Sequence, residues 1–471
     1  MKFHFTRLGA IDEATIELAP LTIICGRNNT GKTYATYAIY AFLSTWRQLI
    51  EWEVDRKDLA QLFNDGAVSI DLEKKFVMQW PEIRQKSSRS WQAFLPRALG
   101  APADRFKETS ISFDFDLDST WKEASFKKEL RSEQGKILFS AEKASNSSVL
   151  EVAALKDDED DDRREFPRFA LENFVSQTLL EAVLSPYLPT VFMVSTERTG
   201  AVTFKEELNL TKNKIVNFLA TMDSSKDTVH PGQLFEAIYK DGYPLPVENN
   251  VQFVNRFGSL EGRSSPLLEA HPTLAADFEN ISGGKYETTK EGVTHFVPKG
   301  TNAKLRLTEA SSAARSLVVI WYWLKAQAAT GHMLLVDEPE LNLHPENQRA
   351  FARFLAKLVN LGVKVLITTH SDTMLCEFNT LIMLARNLDH VNEVRGKYGY
   401  TADECLSTDK IRLYVANGKA RSPTTGRAKK GATSTLECVI PDEKLGLSAE
   451  IFDNTIIEMG NIQDALRYGA I

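Results

Sequence analysis

The sequence predicts an α/β fold, and three stretches carry that prediction. Leu21–Cys25 is a short apolar, β-rich run suited to a buried strand, and it leads through a glycine turn into a helical repeat. Met333–Val336 and Val365–Thr369 are two further apolar runs of strand length, each ending in polar residues.

The first strand runs into Gly26–Thr33, which spells G-x-x-x-x-G-K-T. Gly26 and Gly31 let the backbone N–H groups of the turn, Arg27, Asn28, Asn29 and Thr30 included, point inward at phosphate oxygens. Lys32 in this solvent-facing loop would reach the outer phosphates, and the Thr33 hydroxyl would coordinate Mg²⁺. Beyond the loop, Ala35, Ala38, Ile39, Phe42, Leu43, Trp46 and Leu49 recur at helical spacing, so one helix face is apolar. Strand, turn and helix in this order are the context that a phosphate-binding loop requires.

At 471 residues with 43% hydrophobic content, the chain can bury a large core and is expected to form more than one lobe. Its net charge of -7 excludes a general basic nucleic-acid coat, so any DNA contact needs a local patch. The cysteines Cys25, Cys376, Cys405 and Cys438 are scattered without a C-x-x-C pair. That speaks for a reducing compartment and against a zinc site or disulfide framework. The N-terminus lacks a signal-peptide pattern and no apolar run is long enough to span a bilayer. The expectation is a cytoplasmic protein with no membrane partner.

Asp337 and Glu338 stand at the C-terminal end of the Met333–Val336 strand. There Asp337 would hold Mg²⁺ through water and Glu338 would act as general base on an attacking water. The Val365–Thr369 strand ends in His370, a position suited to sensing a γ-phosphate, and Ser371 and Asp372 can cap the following helix. Ser311 and Ser312 precede a helix whose apolar positions include Leu317, Ile320, Trp321 and Leu324. A serine-rich helix start either caps itself or binds an anion.

In this order the pieces resemble the ABC-type ATPase heads of the SMC, RecF and OLD group. Gly26–Thr33 matches Walker A, Ser311–Ser316 the signature, Leu334–Glu338 Walker B, Asn342 the D-loop and His370 the switch histidine. The opening FTRLGAIDEATIELAPLTIICG is similar to the first β-hairpin of that group. The resemblance covers residues 1–50 and about 280–385. It implies an ABC-type head, with a mixed β-sheet, flanking helices, an antiparallel β-lobe and an inserted helical/β region. It also implies ATP and Mg²⁺ as ligands. Gly26, Arg27, Asn28, Asn29, Thr30, Gly31, Lys32, Thr33, Ser311, Ser312 and Asn342 would surround the nucleotide. Thr33 and Asp337 would hold the metal, and Glu338 and His370 would be catalytic. In such heads ATP lies between two subunits, the signature serine of one completing the phosphate shell of the other. One copy of each motif therefore implies a homodimer or higher homo-oligomer.

The signature reads A-S-S-A-A-R-S, where transporters and SMC heads have L-S-G-G. The serine-rich form resembles the ATPases of the PARIS and Septu antiphage systems. That likeness implies control of a separate toxic nuclease in antiviral defence, with a phage protein as trigger. The alternative is a RecF-like repair or maintenance ATPase that clamps DNA. No glutamine stands in an evident Q-loop. TVFMVSTERTG supplies a strand ending at Glu197-Arg198, which either takes that place or makes a surface salt bridge.

The expected organisation is an ATPase core over 1–50 and 280–385 and an inserted β-lobe with helices over 51–200. A helical lid or partner-binding arm over 201–279 and a C-terminal extension with a β-hairpin over 386–471 complete it. Within the insert, SISFDFDLD places Ile111, Phe113, Phe115 and Leu117 on one strand face, GKILFSAEK is a second strand, and FPRFALENFVSQTLLEAVL reads as an amphipathic helix. The charge run 156–166 reads as a solvated loop. The basic loop 419–430 is either a solvated hairpin tip or a contact for nucleic acid or an acidic partner. The tail carries no D-x-D motif and no histidine after His390, so a nuclease under this chain's control would be another chain.

Overall fold

A computed structural model describes residues 1–50, 52, 54–131, 135–154, 168–205, 242–289, 292–418, 434–442, 444, 446–447 and 463. The charge run 156–166, residues 206–241 of the expected arm and the basic loop 419–430 lie outside the described residues. In the first 150 residues the strands are β1 (Lys2–Leu8), β2 (Ile11–Glu17), β3 (Leu21–Gly26), β4 (Ala67–Asp71), β5 (Ser110–Asp114), β6 (Phe126–Arg131), β7 (Ile137–Lys143) and β8 (Val149–Ala154). Further along come β9 (Val191–Val194), β10 (Gly284–Thr288), β11 (Thr294–Pro298), β12 (Leu305–Arg306), β13 (Met333–Asp337), β14 (Lys364–Thr369), β15 (Ile411–Gly418) and β16 (Ser434–Val439).

The chain forms two compact units. One comprises Met1–His4, Ala41–Leu95 and Thr109–Thr190; the other comprises Phe5–Tyr40, Pro96–Glu108 and Val191–Ile471. In the first unit β4-β8-β7-β6 make an antiparallel sheet that contains the expected GKILFSAEK strand as β7, whereas β5, from SISFDFDLD, is not one of its strands. Ile111, Phe113 and Phe115 are buried as their alternation requires. Phe113 packs against Phe42 and Trp91, and Phe3 meets both of those rings edge-on. The helix Arg168–Leu184 buries Leu179, Leu180, Val183 and Leu184, more than a single stripe.

The second unit is built on a mixed sheet in which β1-β2-β16-β15-β3-β14-β13-β9 are neighbours in that order. β15, β3, β14, β13 and β9 all run parallel, and β15 and β16 are antiparallel. The apolar runs β3, β13 and β14 read as continuous because both of their faces are buried, one of them in a core shared with helices. One of those helices, Ser312–Ala326, is buried from Ser316 to Leu324, and its Tyr322 stacks on Phe257 with ring centroids 4.0 Å apart. Within the described part of the expected arm, residues 201–205 and 242–279, the helix Leu245–Asn255 buries Val247, Val251, Phe253 and Val254.

Parallel pairing places strand ends at one edge. Thr369 lies opposite Cys25, and Asp337 lies opposite Thr368, so the loop after β3 and the acids after β13 come together. Carboxyl ends of parallel strands are where such sheets bind ligands. The C-terminal hairpin enters the same sheet, with Ala416 of β15 beside Gly26. No helix among the described residues is long and apolar enough to cross a membrane.

Candidate nucleotide-binding site

The loop after β3 is shaped by two glycines. Gly26 has φ +137°, and a Cβ there would stand 2.8 Å from the Ala416 side chain. Gly31 has φ +92°, and its Cβ would meet the Ile11 side chain at 2.6 Å. No L side chain fits either position without displacing a neighbouring strand. Asn29 takes φ 62°, a region asparagine tolerates better than most residues. From the C-terminal hairpin, Ser434 donates its hydroxyl to Thr30 O and its amide to Ala10 O, bracing the loop from behind.

Lys32 corrects the sequence expectation of a solvent-facing lysine. Its side chain is only 5% exposed, and Nζ donates to Gly26 O and Arg27 O, both at 2.8 Å. Burial pulls the Lys32 pKa below its ordinary value, while the charges of Glu338, Asp337 and Glu340 oppose that shift.

Asp337 is fully buried at the end of β13. Its Oδ1 accepts from the Thr368 hydroxyl and lies 3.5 Å from Thr33 Oγ1. Its Oδ2 has no hydrogen-bond partner among the described residues. Burial pushes the carboxyl up to about 6, against the hydrogen bond from Thr368. Glu338 follows with φ 51°, its amide donating to Thr368 Oγ1 at 3.1 Å. His370 Nδ1 lies 3.6 Å from Glu338 Oε1 and 3.3 Å from Glu340 Oε1.

Glu340 is a residue that the sequence reading passed over. It is buried, and its Oε1 accepts from Thr369 Oγ1 at 2.9 Å and from the His370 amide at 2.8 Å. The signal was present in D-E-P-E, an acid two positions beyond Glu338. It therefore fixes the backbone at His370 from the neighbouring strand.

These groups open on a cleft of about 680 Å³. Asn28, Asn29, Thr30, Gly31, Lys32, Thr33, Glu338 and His370 line it, with Gly9, Ala10, Tyr34, Arg105 and Phe106. The volume is that of a small-molecule site. Gly26, Arg27 and Asp337 stand behind this lining, as its strand end, loop start and buried acid. Ser311, Ser312 and Asn342 are exposed and lie outside the cleft. Ser311 caps its own helix, accepting from the Ala314 amide at 3.2 Å.

Glu197 and Arg198 part company. Glu197 is exposed and accepts from the Tyr37 hydroxyl at 3.3 Å. Arg198 is fully buried, so the surface salt-bridge reading does not hold for it. Its guanidinium reaches the carbonyls of Asp337 and Glu338 from below.

No curated protein matches the chain. Among solved structures it is similar to an Smc head bound to the C-winged helix domain of ScpA, at 10% identity and a TM-score of 0.35, over 93% of this chain and 97% of that one. An Smc head domain with an extended coiled coil, bound to the C-terminal domain of ScpA and derived from Pyrococcus furiosus, aligns at 12% identity and a TM-score of 0.33. That alignment covers 99% of this chain and 98% of the other. The SMC head domain from Thermotoga maritima aligns at 10% identity and a TM-score of 0.30, over 93% of this chain and 98% of that chain. The family model described as AAA ATPase domain matches residues 8–375, a span that holds the glycine loop, Asp337, Glu338 and His370. The chain belongs to the AAA ATPase domain family.

Proposed function

We propose that the chain binds Mg²⁺·ATP in this cleft and hydrolyses it, with two copies closing around the nucleotide. The observation that carries the reading is Asp337, whose buried Oδ2 has no hydrogen-bond partner among the described residues and whose Oδ1 lies 3.5 Å from the Thr33 hydroxyl. Hard oxygen donors of this kind fit Mg²⁺, so Thr33 and Asp337 are the residues that would hold it. When bound, the ion neutralises charge on the β- and γ-phosphate oxygens. The loop amides cradle the phosphates, and Lys32 exchanges its bonds to Gly26 O and Arg27 O for phosphate oxygens. Glu338 takes the proton of the attacking water, and His370 contacts the γ-phosphate from the end of β14.

Ser311, Ser312 and Asn342 complete the phosphate shell of the other copy, which accounts for their exposure outside their own cleft. Mixing a Lys32→Ala chain with a Ser311→Arg/Ser312→Arg chain is expected to restore ATPase activity, because some mixed sites contain two intact halves. Mixed dimers that form and stay inactive would reject the arrangement in trans.

The ATP-dependent assembly controls a separate nuclease effector in antiviral defence, within the cytoplasm. The serine-rich A-S-S-A-A-R-S start of the Ser312–Ala326 helix, in the form the PARIS and Septu ATPases carry, supports this reading. The purified chain is expected to turn over ATP yet leave DNA and RNA intact with Mg²⁺ or Mn²⁺, and toxicity in cells is expected to need a second protein. Metal-dependent cleavage that survives stringent purification and disappears when acids of this chain are mutated would count against it. Duplex-DNA affinity falling steeply with salt would move the assignment to a RecF-like clamp.

A further inference from the structure

We infer that Arg198 is a positioning residue, one that sets the backbone of Glu338 and ties it to the helix carrying Ser311 and Ser312. The inference rests on the ATPase reading given above.

Arg198 follows β9 at the start of the short helix Arg198–Thr203 and is 1% exposed. A guanidinium carries five N–H donors that need partners once water is excluded. Nε donates to Ser316 Oγ at 2.8 Å. Nη1 donates to Ser195 O at 3.0 Å and to Asp337 O at 2.9 Å, and Nη2 to Glu338 O at 2.8 Å. Each of these partners is a neutral oxygen. Arg349 and Arg353 of this unit pair with the carboxylates of Glu377 and Glu404, whereas the more exposed Arg315 also donates to carbonyls, of Thr308 and Ala310. Burying a full charge costs desolvation energy, which these hydrogen bonds and the nearby charges of Asp337, Glu340 and Glu338 offset.

What it holds is the peptide that aims Glu338. Glu338 is one of the few non-glycine residues with positive φ, at 51°, a conformation that persists only where its surroundings fix it. Its carbonyl accepts from Arg198 Nη2 and from the Leu341 amide at 3.1 Å. The Leu341 carbonyl in turn accepts from Ser316 Oγ at 3.2 Å, and Ser316 accepts from Arg198 Nε. Arg198, Glu338, Leu341 and Ser316 thus form a closed ring of hydrogen bonds. Ser316 lies about one turn into the helix that Ser311 caps. A shift of that helix alters the Nε bond while the two Nη groups still grip Asp337 and Glu338. Contact between the serines and a second copy's nucleotide is thereby transmitted to the general base.

The test uses the full-length chain. It compares ATP affinity, melting temperature and single-turnover Mg²⁺·ATP hydrolysis for wild type, Arg198→Lys, Ser316→Ala, Glu338→Gln and the doubles with Glu338→Gln. Arg198→Lys is expected to keep ATP affinity within about threefold and to slow hydrolysis about 10²-fold, the scale of a misplaced catalytic group. Ser316→Ala, which removes one charge-assisted bond, is expected to slow it about tenfold at unchanged affinity. Each double is expected to be no slower than Glu338→Gln alone, because residues that act through one group do not add. Unchanged rates, losses that multiply in the doubles, or a joint fall of affinity and melting temperature would overturn the role. If Arg198→Lys does not fold, the Ser316→Ala pair decides alone. A wild type that neither binds nor hydrolyses ATP overturns the ATPase reading and this inference with it; an active wild type beside an unchanged Arg198→Lys overturns this inference only.

Discussion

Glu338→Gln is expected to retain ATP binding and to slow hydrolysis by about 10²–10⁴-fold, the range for a lost general base. Glutamine preserves the size of the side chain, so the left-handed turn at this position and the amide bond to Thr368 Oγ1 survive. Only the proton acceptor is removed. Lys32 and the loop are untouched, so nucleotide still enters. The closed, ATP-bound dimer is then expected to accumulate, seen as a larger species in size-exclusion chromatography with Mg²⁺·ATP. Glu340 is not placed to replace the missing base: it is buried outside the cleft lining, with its Oε1 held by Thr369 and the His370 amide. Turnover at the wild-type rate would show that another group positions the water, and Glu340→Gln would then be the variant to measure.

The parts of the site that were legible in the sequence are those where local pattern and tertiary role coincide. β3, β13 and β14 are buried on both faces, and a strand in that position has to be a continuous apolar run. The glycine loop was legible because its backbone conformation allows so few residues: φ at Gly26 and Gly31 lies where a Cβ collides with Ala416 and Ile11. Partners distant in the chain were not legible. β15 reads as a strand from its own residues, but nothing local says that it lies against β3 with Ala416 beside Gly26. The same holds for Ser434, whose hydroxyl reaches Thr30 from the far end of the chain. For Arg198 the sequence leaves a Q-loop place and a surface salt bridge both open, and its burial was not legible for a different reason. A charged dipeptide after a strand looks like surface, and burial of a guanidinium depends on carbonyls from β13 that become neighbours only when the sheet assembles.

Lys32→Ala is expected to remove nucleotide binding, and the structure changes the reason for it. In a solvent-facing loop the substitution would delete one charge. Here it also deletes two hydrogen bonds that close the loop on itself, to Gly26 O and Arg27 O. Bonds from a charged donor contribute about 1.5–3 kcal/mol each, so losing two such bonds to phosphate lowers affinity by about 10²–10⁴-fold. The fold itself is expected to stand. Arg27 is exposed and Gly26 half-buried, so their freed carbonyls are within reach of solvent, and the Gly26 backbone stays pinned beside Ala416 in β15. A thermal melt separates the two effects. Mg²⁺·ATP should raise the melting temperature of wild type, since a ligand that binds only the folded chain stabilises it. Lys32→Ala should melt within a few degrees of unliganded wild type and show no such rise. A normal ATP-induced rise in the variant would take Lys32 out of the binding site. A melting temperature far below that of unliganded wild type would instead show that the lysine holds the loop, and with it the β3 edge, in place.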